Sequence, residues 1–286
     1  MSEIRYSCVA GAFYPESRVE CTAELEEYTR GGGLSENITP VAGIAPHAGW
    51  VYSGATAGKV FSYFKEHSAP DTFVIFGASH RYVGSQAVML DKGRWETPLG
   101  MVDIDEEFAG KLLGGSDGLV AGAAPHAGEH SIEVQVPFIK YLFPEARIVP
   151  IIVPAGPDAG ILGASIGKIM NEVGNVVALG STDLTHYGFE YGFAPKGVGE
   201  EALKWVREVN DRRMIDLAAN MRAGEIVEEA RTYHNACGAG AVSATIAAAA
   251  ACGAKKGYLV EYTTSHDVIP RGRPSMFVGY AGMVFG

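Results

Sequence analysis

The stretch VAGIAPHAGWVYSG, residues 41–54, decides the fold. Its apolar run, Val41 to Ala45, stops at Pro46; His47 follows, and Gly49 opens a segment of small residues. It reads as a buried strand that ends at a histidine and turns tightly into a helix. The pattern recurs in TFVIFGASH, residues 72–80, where an apolar strand runs through Gly77 and Ser79 to His80. It recurs again in VVALGSTDLTH, residues 176–186, with Asp183 and His186 just beyond the strand. Ligands of open α/β sheets bind outside the carboxyl ends of the strands. Three strands that each deliver a histidine to that end predict one shared site.

The alternation continues on both sides. Glu16–Arg30 reads as an exposed acidic helix, stopped by Gly31, Gly32 and Gly33. Ser53–His67 reads as a helix with Ala57, Val60, Phe61 and Phe64 on one face. Ala87–Leu90 reads as a short strand, Arg94–Ile104 as a turn and an edge strand, and Asp105–Leu113 as a helix ended by Gly114 and Gly115. Ser131–Phe143 carries Ile132, Val136, Ile139 and Phe143 at helical spacing. Arg147–Val153 reads as a strand, Asp158–Glu172 as a helix, Gly199–Arg222 as one long helix with a charged face, and Gly224–Ala230 as a short one. The alanine-rich helix Ala239–Cys252 and two β segments, Gly257–Thr264 and Ser275–Phe285, close the chain. With no linker or break in composition, this alternation predicts a single three-layer α/β domain over residues 1–286. APHAG occurs at 45–49 and again at 124–128, but the surroundings differ and no repeat follows. Phe13 and Tyr14, in AGAFYP, read as packing residues.

Composition narrows the function classes. Hydrophobic residues make up 47% of the 286 and charged residues 20%, as in a globule with a full core. A net charge of −10 argues against a nucleic-acid surface. No apolar run approaches the ~18–20 residues of a membrane span, and the N-terminus lacks the layout of a secretion signal. Cys8, Cys21, Cys237 and Cys252 show no C-x-x-C spacing, so a reduced, cytoplasmic protein without disulfides is expected.

His47, His80 and His186 lead the site candidates. His126 and His130 share a short loop with Glu129 and are placed in the pocket with it. His67 reads as solvent-exposed, while His234 and His266 lie in loops near the other candidates. Cys237 stands between Ala236 and Gly238 at the entry to the alanine-rich helix. The positive end of the helix dipole is expected to lower its thiol pKa; the alternative is a small buried residue packed against glycine. Asp183 either orients the His186 imidazole or caps a local Ser/Asp turn. Two imidazoles plus an anion make a minimal open metal site of the non-haem iron kind. A thiolate ligand would favour zinc, copper or iron.

Taken together, these motifs resemble the Memo family, called AmmeMemoRadiSam system protein B in microbes. The resemblance rests on AGAFYP at 10–15, APHAGWVYSG at 45–54, FGASH at 76–80 and ETPLG at 96–100. It continues in EHSIEVQVPF at 129–138, STDLTHYG at 181–188, Cys237 ahead of the alanine helix, and VGYAG at 278–282. It implies an α/β/α fold with a central mixed sheet, like that of the class III extradiol dioxygenases, whose Fe(II) is held by two histidines and a glutamate. By that similarity His47 and His80 match the two histidine ligands, and His186 matches the acid/base histidine. Cys237 matches the third ligand, where the dioxygenases place glutamate, so the resemblance implies a metal site more strongly than ring cleavage. It also implies iron or copper as the metal, with a radical-SAM protein and an AMMECR-type protein as partners in a shared pathway.

Three functions compete at this point. The first is a metal-dependent oxidoreductase with an unknown small-molecule substrate, in which His47, His80 and Cys237 hold iron, His186 and Asp183 move a proton, and His126, Glu129 and His130 line the pocket. The second is a hydrolase or transferase with Cys237 as nucleophile, His186 as base and Asp183 as orienter. The third is a non-catalytic metal- or ligand-binding scaffold that acts through partners.

Overall fold

The computed structural model describes residues 3–31 and 34–286. Its centre is a nine-stranded mixed sheet. Four parallel strands form the middle, in the order Ala42–Ala45, Val176–Ser181, Thr72–Gly77 and Arg147–Ile152. On one side Phe277–Phe285 runs antiparallel to Ala42–Ala45 and pairs in turn with Gly257–Thr264 and the short His186–Tyr187. On the other side Ala87–Met89 runs antiparallel to Arg147–Ile152, with Leu119–Ala121 beyond it.

Strand alternation divides the core into two layers. Val74 and Phe76 pack with Ile44, Val149 and Ile151 against the helices Ala159–Val173 and Ala239–Ala251. Phe73 and Ile75 pack with Ile148, Val177 and Leu179 against the helices Trp50–His67 and Val136–Leu142. This is the expected three-layer α/β/α arrangement. The helices Ala159–Val173 and Ala239–Ala251 lie unusually close because their facing residues are small. A Cβ on Gly163 would stand 2.1 Å from the Ala244 carbonyl oxygen, and one on Gly167 would stand 2.5 Å from that of Ala248.

Several local expectations change. The helix after His47 starts at Trp50, because the Trp50 N–H already finds the Phe13 carbonyl at 2.7 Å. Gly114 and Gly115 do not stop the preceding helix, which runs Glu106–Gly115 and ends at Ser116. Of the expected glycine stop, only Gly31, at φ +88°, is described; Gly32 and Gly33 lie outside the described residues. The Arg94–Ile104 segment is a hairpin, Arg94–Thr97 with Gly100–Asp103, in a separate three-stranded sheet with Ile4–Arg5. The expected helix Ser131–Phe143 divides into His130–Glu133 and Val136–Leu142, with Pro137 in the first turn of the second. The expected long helix Gly199–Arg222 divides into Glu200–Trp205, a π-turn Val206–Asn210, and Asp211–Ala219. No helix among the described residues is long and apolar enough to cross a membrane.

The close helix contact yields a stability prediction. Gly163→Ala gains about 1 kcal/mol of helix propensity but drives a methyl into fixed backbone, which overpacking data put at about 1–3 kcal/mol. A net loss is expected, read as a lower urea midpoint with an unchanged slope.

Candidate functional site

Parallel pairing brings the candidate histidines to one edge. Ala45 pairs with Ser181 at the ends of adjacent strands, and Gly77 ends the next strand along. His47, His80, Asp183 and His186 therefore emerge side by side and line one cleft of about 500 Å³. His130 joins them from the start of the short helix His130–Glu133. The His47 ring is edge-on to His80 at 5.1 Å and to His130 at 5.3 Å, and His80 stacks on His130 at 4.5 Å. Candidate ligand atoms of these three histidines all lie within 4.8 Å of one another.

The hydrogen bonds assign the ring nitrogens. Ser181 Oγ donates to the Ser131 carbonyl at 2.7 Å and accepts from Gln135 Nε2 at 3.1 Å. Its single proton is thereby used, so it accepts from His47 Nδ1 at 3.0 Å, and Nε2 of His47 carries the free lone pair. His80 Nδ1 donates to Glu129 Oε1 at 2.8 Å, which likewise leaves Nε2 as the free lone pair. His186 Nδ1 donates to the Leu184 carbonyl at 3.1 Å. Carboxylate and carbonyl partners of this kind fix tautomer and ring orientation in metal-binding histidines.

Burial tunes the charges. Burial, then the neighbouring charges of His80 and His130, holds His47 well below the usual imidazole range, so its ring is neutral. Burial and then the charge of His80 lower His130 to about 4. Burial alone would raise Glu129; the hydrogen bond and charge of His80, with N–H groups of Ser131 and His80, outweigh it and hold the carboxyl well below its ordinary value.

Cys237 lies beside His47 but not in the state its sequence position suggests. Its Sγ is 3.1 Å from His47 Nε2, 3.3 Å from the Asp183 N–H and 3.9 Å from Thr182 Oγ1. The expected lowering of the thiol pKa is not what the site favours: burial, then the charge of Asp183, pushes it up against the hydrogen bonds from the Asp183 N–H and the Thr182 hydroxyl. Gly238 makes the approach possible, since a Cβ there would stand 2.4 Å from the Ser181 carbonyl oxygen.

Three further expectations need correction. His126 does not line the cleft: it is buried behind it, with Nε2 donating to the Val88 carbonyl at 3.0 Å and its ring edge-on to Trp95. Asp183 does not grip the His186 ring. Its Oδ1 accepts the backbone N–H groups of His47 at 2.7 Å and Ala48 at 3.2 Å, tying one strand-end loop to the next. Burial raises its pKa, while the charge of His186 and those two N–H groups oppose the rise. Glu129 lies beneath His80 rather than on the cleft surface. His266 lines the rim, and the His67 ring lies tilted against Tyr63, centroids 4.2 Å apart.

Other site residues had escaped the sequence reading. Phe13 packs on His130 at 4.9 Å and Tyr191 lies edge-on to His186 at 5.1 Å, while Tyr52 completes an aromatic wall. The hub that anchors the His186 loop was also missed. Buried Asp211 accepts from the Thr185 N–H at 3.0 Å, the Thr185 hydroxyl and the Tyr262 hydroxyl at 2.8 Å. Asn210, the last residue of the π-turn, donates from Nδ2 to Thr185 Oγ1 at 2.9 Å. The signal was the polar pair Asn210–Asp211 on an otherwise amphipathic helix.

An α/β protein with a histidine-lined cleft at the carboxyl edge of its parallel strands is the class that fold and site define. The profile of the family described as Memo-like protein matches residues 5–284, and the chain belongs to this family. A MEMO1 family protein of Pyrococcus abyssi is 38% identical over 291 residues, covering 98% of this chain and 99% of the relative. One of Pyrococcus horikoshii is 36% identical over 293 residues, covering 98% of each. Among solved structures, the uncharacterized protein JW3007 from Escherichia coli K12 shares the fold at a TM-score of 0.50 and 10% identity, over 84% of this chain and 98% of that one.

Two outcomes follow from the geometry. Asp183→Ala leaves the buried N–H of His47 and the half-buried N–H of Ala48 without an acceptor and should cost about 1–3 kcal/mol; Asp183→Asn, which keeps an acceptor oxygen, should cost less, as read by urea unfolding. Burial raises Asp211 from its ordinary value near 3.8 to about 6, against the hydrogen bonds from Thr185 and Tyr262. Between those values the unfolded chain loses its proton first, so the contribution of Asp211 to stability is greatest at low pH and falls as pH rises. From pH 4 to pH 7 the stability difference should shift by up to roughly 3 kcal/mol in favour of Asp211→Asn over wild type.

Proposed function

We propose that the cleft is a metal centre with an oxidoreductase role, in which His47, His80 and Cys237 hold an iron or copper ion and His186 carries a proton to or from the substrate. One observation carries the reading: His47 and His80 both have Nδ1 tied to an acceptor, and Cys237 Sγ lies 3.1 Å from the free Nε2 of His47. The donor chemistry, two imidazoles with free lone pairs and a thiol, suits borderline transition metals, while the candidate ligand atoms that lie within 4.8 Å of one another among the described residues are those of His47, His80 and His130. When bound, iron or copper supplies one-electron redox chemistry.

The chain's own residues do the rest. Burial keeps His47 neutral and therefore able to ligate. Glu129 orients His80 and raises its donor strength, and Asp183 holds the His47 loop against the His186 loop. The Leu184 carbonyl fixes the His186 tautomer so that Nε2 is its accepting nitrogen, and Phe13, Tyr52 and Tyr191 line the cleft beside it.

The thiol-nucleophile reading is weaker. The partner of Cys237 is His47 rather than His186, and burial disfavours a metal-free thiolate. His130 is the rival third ligand, because it shares the close cluster with His47 and His80.

Metal content of anaerobically purified protein tests the reading. About one ion per chain is expected in wild type, with loss in His80→Ala and Cys237→Ser and retention in His130→Ala. Glu129→Gln should weaken affinity about 10- to 100-fold. Loss in His130→Ala with retention in Cys237→Ser would replace the thiol by the third imidazole. Protein that takes up neither iron, copper nor zinc would reject a metal centre.

A further inference from the structure

The floor and rim of the cleft differ in chemistry. The floor holds the imidazoles and Asp183. One side of the rim is the short helix Ser265–Val268 with the segment that joins it to the strand Phe277–Phe285; they bring His266, Arg271 and Arg273 to the cleft. Arg273 is already engaged, since its Nη2 donates to the Val198 carbonyl at 2.7 Å. Arg271 is exposed. The arginine ion pairs of the described residues involve Arg5, Arg147, Arg207, Arg212, Arg213, Arg222 and Arg231, and none involves Arg271.

The charge balance is local and opposite to that of the whole protein. The chain carries a net charge of −10, yet the fixed charges lining the cleft are two guanidinium groups against a single carboxylate, Asp183, alongside five imidazoles of which burial keeps His47 and His130 neutral. Asp183 lies at the floor, committed to the backbone of His47 and Ala48. A cleft lined by one sign of charge concentrates ligands of the other sign. A guanidinium with no acidic partner matches the planar, two-oxygen face of a carboxylate, or a phosphate, better than any other group. The aromatic side chains of Phe13, Tyr52 and Tyr191 offer flat apolar surface between that rim and the floor. The cleft volume of about 500 Å³ is that of a small-molecule site.

We propose that the substrate is a small organic anion with a planar body, and that Arg271 receives its carboxylate or phosphate group while the body reaches the imidazoles at the floor. Arg271 is thereby the specificity-determining residue at the rim. The proposal rests on reading the cleft as the substrate site, but it does not require the ion to be bound.

Calorimetric titration of the full chain, metal-free and metal-loaded, with benzoate, phenyl phosphate and neutral benzamide tests it. Wild type should bind at least one of the two anions about tenfold or more tightly than benzamide. The tighter anion tells whether the natural group is a carboxylate or a phosphate. Arg271→Ala should lose about tenfold in anion affinity with benzamide binding unchanged, Arg271→Lys should keep part of it, and the remote Arg222→Ala should match wild type. Arg271 is exposed, so its replacement leaves the fold intact, checked by the urea midpoint. Anion binding that depends on Arg271 in metal-free protein upholds the proposal even if the metal centre fails. Three results would overturn it: full anion affinity in Arg271→Ala, which would place the anion at the floor; equal affinity for benzamide; or no anion binding by either form. None of these results bears on metal content.

Discussion

Burial of the polar segment 129–135 is the constraint on which the rest of the structure depends. Glu129, Ser131, Glu133 and Gln135 are all inaccessible to solvent, and unpaired groups there would be costly. Each takes partners from elsewhere in the chain, and within this set only Gln135 Oε1 is left without one among the described residues. Glu129 takes the ring and backbone N–H of His80, and Ser131 Oγ takes the Ala78 N–H. Glu133 takes Arg5, the Tyr14 hydroxyl and the N–H groups of Cys8 and Val9. Gln135 donates to the Pro46 carbonyl and to Ser181. The N-terminal arm and three strand ends are therefore fixed against one short segment. A buried polar network specifies its partners sharply because partial satisfaction is worse than none.

The same dryness sets the electrostatics of the site. Without a cation, burial holds His47 and His130 neutral and the Cys237 thiol protonated. Neutral imidazoles are the ligating form, and a bound cation would invert the preference of the thiol. Glu133 shows the same competition resolved differently: burial would raise its carboxyl, and Arg5 with the N–H groups of Cys8 and Val9 brings it below the ordinary value. Farther out, the buried carboxyl of Asp211 carries out a comparable task for the His186 loop through Thr185.

The strands of the central sheet were legible because a fully buried parallel strand must be a short apolar run with a turn at its end. Ala42–Ala45, Thr72–Gly77, Arg147–Ile152 and Val176–Ser181 all follow that rule. Helix interruptions were not legible: the π-turn at Val206–Asn210 leaves the apolar spacing nearly intact, and its reason lies in Asn210 reaching Thr185 across the fold. His126 shows the limit for single residues. It shares a loop with Glu129 and His130, yet the 3₁₀ turn Ala124–Gly128 directs it to the Val88 carbonyl instead of the cleft.

The sequence by itself determined the layered α/β class and the placing of His47, His80 and His186 at strand ends, because hydrophobic period and turn chemistry are local properties. It also carried the motifs of the Memo-like family along nearly the whole chain. Only the tertiary structure decided which histidines meet, which nitrogen each one leaves free, that Asp183 braces the His47 backbone, and that the Cys237 thiol is raised instead of lowered. Those outcomes depend on distance and desolvation between segments as far apart as His47 and Cys237, and a local pattern contains neither.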